Sequence, residues 1–190
     1  MTNYDNSMPR AFRSLKAIVL GLALGLVALV SMPDTAQAEG VIKRPGAHNQ
    51  YKWELEPQLA VKYYCWNGCG NAGFGPGVRA SIPFMHNGPI DSINNNIGIS
   101  FGLNTFFYGG NNEVIGWNVP VAFQWNFYFT EIISVLGEVG LNSELATFNG
   151  GSDFDIYPLF QGGGRFQFGK LGVLVRVGIP YASVGLNIQF

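Results

Sequence analysis

The sequence predicts an all-β fold, a closed antiparallel eight-stranded up-and-down transmembrane β-barrel, and three observations lead to it. First, Ala182, Val184, Leu186, Ile188 and Phe190 alternate without a break with Ser183, Gly185, Asn187 and Gln189. A period of two gives a strand with one apolar face and one small or amide-polar face. In an ordinary sheet that strand would be an aggregation-prone edge; in a barrel it is paired on both sides and its apolar face meets lipid. Second, eight such alternating segments can be counted, averaging slightly more than the roughly ten residues a tilted strand needs to cross a bilayer. Third, the chain begins with an export signal and carries few charges thereafter.

That signal is read from Arg10, Arg13 and Lys16, an apolar run over 17–30, and Ala36-Gln37-Ala38 before Glu39. A basic region, an apolar core and small residues two apart predict a secretory signal peptide over 1–38, cleaved after Ala38. The alternative is a membrane anchor, but the fourteen residues of the run fall short of the ~20 that span a bilayer. No cysteine follows the run at the cleavage site, which excludes a lipid-anchored lipoprotein. Met8 is a plausible true start. The expected organisation is the signal (1–38), a short periplasmic N-terminal segment (39–52) and the barrel (53–190).

Charged residues make up 12% of the chain against ~25% in an average soluble protein. From Glu39 onward eight Lys or Arg face ten Asp or Glu, so no basic patch points to nucleic acid.

The first segment, 53–64, sets Trp53, Leu55, Leu59, Val61 and Tyr63 against Glu54, Glu56, Gln58 and Lys62, with Pro57 hinting at a bulge or a later start. The second (74–85) sets Val78, Ala80, Ile82 and Phe84 against Arg79 and Ser81. The third (94–108) and fourth (114–128) place Phe101, Leu103, Trp117, Phe123 and Trp125 on one face, with asparagines, Ser100 and Gln124 on the other. The fifth (132–143) is the least regular, because Leu136 falls among Glu138, Gly140 and Asn142. The sixth (156–168) contains Gly162-Gly163-Gly164, which suggests a bend or a close backbone approach. The seventh (171–179) runs Val173, Val175, Val177, Ile179, and the eighth is the terminal strand.

An even strand count puts both termini on the periplasmic side. Surface loops are then expected at 65–73, 109–113 and 144–155, with a tight connection at Pro180-Tyr181. Aromatic girdles are expected from Tyr51, Trp53, Phe84, Phe127, Tyr128, Phe168 and Phe190 at the periplasmic rim. Tyr63, Tyr64, Trp66, Phe107, Tyr108, Phe154 and Tyr181 would form the outer one.

Alternation alone does not say which face is inside. A lipocalin-like soluble barrel would have an apolar interior and a water-facing wall that is ~25–35% charged. The polar face here carries mainly Asn, Gln, Ser and Gly with eight charges that balance: Glu54, Glu56, Glu138 and Glu144 against Lys62, Arg79, Arg165 and Arg176. That pattern suits a packed interior, where the eight form a lumen ion-pair network and plug it. With its signal peptide, eight alternating strands and terminal Phe190, the mature chain resembles the small eight-stranded outer-membrane barrels of bacteria, the class of the OmpA transmembrane domain and OmpX. The resemblance implies a Gram-negative outer membrane and contact with its lipids, including lipopolysaccharide. It also implies insertion by the barrel-assembly machinery through the C-terminal strand, with Phe190 as the signal. Members of that class often project long loops or a protruding sheet for adhesion, and the short loops expected here weaken an adhesive reading.

Cys65 and Cys69 lie in the first surface loop of an exported protein and are expected to form a disulfide. Closing so short a loop would stabilise it by about 2 kcal/mol. A metal site needs more ligands, and His48 and His86 map to the opposite side, as solvated linker and turn residues. No cofactor, metal or catalytic residue is expected: acids facing an equal number of bases are structural more often than catalytic. The expected function is therefore a structural or surface-interaction barrel that is not an enzyme. The alternatives are a conduit or binding site for small molecules, apolar ones among them, and a soluble lipophile-binding barrel. No oligomer is predicted.

Overall fold

Eight alternating stretches become eight strands, and in the computed structural model of the chain, which describes residues 40–63, 72–109 and 114–190, they close into one barrel. The strands are β1 (Glu54–Lys62), β2 (Gly73–Met85), β3 (Asn95–Tyr108), β4 (Val114–Tyr128), β5 (Ile133–Phe148), β6 (Gly151–Phe168), β7 (Leu171–Ile179) and β8 (Tyr181–Gln189). Each pairs antiparallel with the next, and β8 returns to β1. The seam is pinned at the terminus: the Lys52 amide donates to the Phe190 carbonyl at 2.7 Å and the Phe190 amide to Trp53 at 3.0 Å. The Phe190 ring stacks on Trp53, with centroids 4.0 Å apart.

The apolar face is the outer one. Leu59 and Phe168 are 65% and 66% exposed, while Glu54, Lys62, Arg79, Arg165 and Arg176 point inward and are buried. A soluble lipid-binding barrel requires the opposite arrangement. Every strand is paired through most of its length and the outer wall is apolar, the condition for a β-structure to sit in hydrocarbon. No helix among the described residues is long and apolar enough to cross a membrane.

Several expectations are corrected. The stretch 144–155 is not a loop: β5 and β6 continue through it to a two-residue connection at 149–150, where Gly150 adopts φ 109°. The alternation persists there, with Leu145 outward and Glu144 inward, so the strands persist. Pairing of β6 with β7 begins only at Phe160↔Ile179, so the β5–β6 hairpin rises past the end of β7. Pro57 makes no bulge against β2, where the register runs through Pro57↔Val78. On the β8 side, pairing lapses at Glu56 and Pro57 and resumes in the same register, as the missing N–H of proline requires. The register shift among these strands lies at Pro83/Met85 instead.

Leu136 does face inward and is buried. It fits because its cross-strand partner is Gly163, where an added Cβ would stand 3.2 Å from Leu136 Cδ1 and 2.7 Å from the Val175 carbonyl oxygen. Of the three glycines in the run, Gly163 marks the close approach. Four tyrosines assigned to the girdles are not on the lipid face: Tyr51, Tyr128 and Tyr181 are buried, and Tyr108 bonds inward. Tyr64 and Trp66 lie outside the described residues. So do Cys65 and Cys69: the expected disulfide is withdrawn, because no such bond is found and these positions fall outside what is described.

Candidate functional site: the charged interior

Strand alternation alone aims the charged side chains inward, and barrel closure then brings distant strands face to face. At the end nearer the termini, Glu54 on β1 meets Arg165 on β6 at 2.8 Å. The Ser81 hydroxyl donates to the same carboxylate at 2.6 Å and the Gln124 amide at 3.2 Å. Further up, Glu138 on β5 lies between two guanidinium groups, 3.0 Å from Arg79 and 3.2 Å from Arg176. Arg176 also binds Glu56. Arg79 donates to Gln161 at 2.8 Å and to Ser100 at 2.9 Å.

At the outer end Lys62 binds Glu144. That carboxylate accepts the Tyr108 hydroxyl at 2.9 Å and the Tyr157 hydroxyl at 2.8 Å. The ammonium also lies 5.1 Å from the Tyr157 ring centroid, within cation–π range. All eight charged residues singled out in the sequence are thus brought into contact with at least one opposite charge. None of these pairs joins neighbouring strands: those of Arg176 skip a single strand, and Lys62–Glu144, Arg79–Glu138 and Arg165–Glu54 reach further across the interior. A charge removed from water in this way holds only because its partners and hydroxyls replace hydration.

The sequence missed a second group, at the mouth nearer the termini. His48, expected to be solvated, is buried; its ring stacks on Tyr128 with centroids 4.1 Å apart and an interplanar angle of 4°. Its Nδ1 shares a 2.6 Å hydrogen bond with Asn94 Oδ1. The segment is held by its backbone as well, since the Asn94 amide donates to the Ile42 carbonyl at 2.7 Å. Tyr128 is fixed in turn by Asn96 at 2.8 Å, and Asn96 by Asn126 at 2.7 Å. Burial lowers the His48 pKa below 6.5, with His86 and Arg165 adding to the effect and the Asn94 bond opposing it. His86 is exposed. The signal for the Tyr128 side of this group was present, because strict alternation along the fourth segment places Tyr128 with Gln124 and Asn126.

Among the described residues no three His, Cys, Asp or Glu are grouped to hold a metal ion. The arrangement can neutralise, rigidify and fill; every inward glutamate is held by a cation, which leaves none poised as a free base.

An apolar wall around a closed, charge-paired interior is the architecture of a small membrane-spanning β-barrel. No family model matches the chain, and no curated protein matches it. Among solved structures it is similar to Ail, the attachment invasion locus protein of Yersinia pestis, at 12% identity over 73% of this chain and 96% of that one, with a TM-score of 0.48. It is also similar to Neisserial surface protein A, at 11% identity over 73% and 97%, with a TM-score of 0.49. Another structure of Ail, in a phospholipid nanodisc, gives 14% identity over 74% and 100%, with a TM-score of 0.42.

Proposed function

We propose that the protein is a sealed outer-membrane barrel with a structural or surface-interaction role, its interior plugged by its own side chains. The observation that carries this reading is that ion pairs bridge strands that are not neighbours, at Arg165–Glu54, Arg79–Glu138, Arg176–Glu56 and Lys62–Glu144. Eight strands leave an interior that side chains nearly fill. Lys62, Arg79 and Arg165 occupy it as cations held by acids, so an ion entering would have to displace a satisfied pair. The N-terminal segment closes the mouth nearer the termini with His48. The chain would reach its place through a cleaved signal at 1–38, and the assembly machinery would read the terminal strand at Phe190. Lipopolysaccharide is the expected lipid on the outer side.

The surface role is favoured by the hairpin that β5 and β6 raise past β7, where Phe148 and Phe154 are exposed. That hairpin supplies the projecting sheet that short loops alone would lack. Purified protein in planar bilayers tests the seal: no steady single-channel conductance is expected in salt solution. A stable, ohmic conductance from the unaltered protein would end the plugged reading.

A further inference from the structure

Among the described residues the outer wall has a place where its side-chain cover is missing. Following the register across five strands, Ile97 pairs with Trp125, Trp125 with Gly137, Gly137 with Gly162, and Gly162 with Val177. All five are outward positions; elsewhere in the described wall most such positions carry apolar side chains, with Ala80, Thr105, Ser143 and Ala182 among the small or polar exceptions, but each of those keeps a Cβ. Here two adjacent ones carry none. The neighbouring row below adds Gly164 beside Val135 and Phe127. A Cβ added at Gly137 or Gly164 would meet nothing within 4 Å. The result is a groove of about 740 Å³ whose floor is backbone and whose sides include Phe123, Trp125, Phe127 and Phe160. That volume falls within the range of small-molecule sites, ~300–1,000 Å³.

Its sides are fixed in place. The Trp125 indole N–H donates to Asn95 Oδ1 at 2.9 Å, and the ring packs on Phe127 with centroids 4.8 Å apart. Phe123 meets Phe84 edge-on at 6.5 Å. We propose that this groove is a lipid site and holds the acyl chain of a phospholipid. The groove is continuous with the lipid-facing wall, so hydrocarbon is the medium already in contact with it. Its lower side is formed by Phe84 and Phe127, each one residue from the end of its strand on the side of the chain termini. That is the periplasmic half of the membrane, the leaflet made of phospholipid. A second barrel is a poor occupant, because a convex wall cannot enter a narrow trough framed by rings, whereas a flexible chain can. Prefixed sides lower the ordering cost of binding.

The test is quenching of Trp125 by a phosphatidylcholine brominated on its acyl chains, mixed with dioleoylphosphatidylcholine in vesicles. One protein retains Trp125 alone (W53F, W66F and W117F). A second retains Trp117 alone, on the same strand but outside the groove (W53F, W66F and W125F). Half-quenching of Trp125 is expected at a brominated fraction lower than for Trp117, on the order of threefold. Filling the floor with G137L and G162L in the Trp125 protein should raise its curve to that of Trp117. Heat-modifiable gel migration reports that the filled variant folds, and the two unfilled proteins stand as a test without it. Equal curves for Trp125 and Trp117 overturn the proposal, as does preferential quenching that survives filling. A cross-linked dimer lost on filling overturns it too, in favour of a second copy as occupant. None of these outcomes depends on whether the lumen conducts.

Discussion

At the scale of single residues the interior is organised around Glu138, whose carboxylate serves Arg79 and Arg176 at once and accepts the Ser100 hydroxyl at 3.1 Å. Both guanidinium groups have other acceptors, Gln161 and Glu56, but those neutralise only part of the charge. Replacing Glu138 by Ala removes one acid facing two fully buried cations. Breaking a buried pair in this way costs about 3–5 kcal/mol, more than the net worth of the pair. The expected outcome is a loss of that size in reversible urea unfolding of the protein in lipid vesicles. The double change Glu138→Ala with Arg79→Ala should recover part of it, because one stranded cation leaves with its acid. A Glu138→Ala variant as stable as the parent would mean that water, not protein, solvates this cluster.

At the scale of elements, the N-terminal segment makes a titratable contact with the barrel. Its 3-10 turn, Val41–Lys43, and the chain beyond it lay His48 on Tyr128. Because burial lowers the folded pKa of His48 below 6.5, the unfolded or undocked segment binds a proton that the docked one refuses. Docking is therefore fully favourable above 6.5 and weakens as pH falls below that value, until His48 in the docked state also protonates. Burial is the larger cause, with electrostatic contributions from His86 and Arg165 adding to it and the Asn94 hydrogen bond opposing it. The readout is hydrogen exchange at the Asn94 amide, which donates to Ile42 in the docked segment. Protection, corrected for intrinsic exchange, should decline as pH drops below 6.5. His48→Phe, which keeps a ring on Tyr128, should flatten the dependence. Unchanged protection across that window in the parent would remove His48 from any such role.

At the scale of the whole molecule, the strands that were legible are those whose alternation is unbroken: β4 and β7 stand at the bounds the sequence implies, and β8 ends one residue sooner. What escaped had physical causes. The upper halves of β5 and β6 read as a loop because Ser, Asn, Gly and Asp cluster there, and cross-strand pairing overrode that local composition. The tyrosines read as girdle residues because their chemistry suits an interface, although their parity already placed Tyr108, Tyr128 and Tyr181 with the polar face. His48 was illegible, since a segment outside any periodic stretch carries no record of what it docks against.

The terminal strand is where sequence and closure meet. Phe190 stacks on Trp53 while backbone bonds tie it to both Lys52 and Trp53, so Phe190 fastens β8 to β1 at one end of their seam. Deleting Phe190 should therefore act on assembly more than on the finished wall. Two aromatic faces and two backbone bonds are lost at one end of a seam that β1 and β8 otherwise share from Glu54↔Gln189 to Lys62↔Tyr181. The expected outcome is fewer heat-modifiable, membrane-inserted molecules in cells at equal synthesis, while protein refolded from urea into detergent reaches the barrel form in comparable yield. A matching loss in detergent would assign the effect to the Trp53 stack, and normal insertion in cells would show that the terminal aromatic is not what the assembly machinery reads.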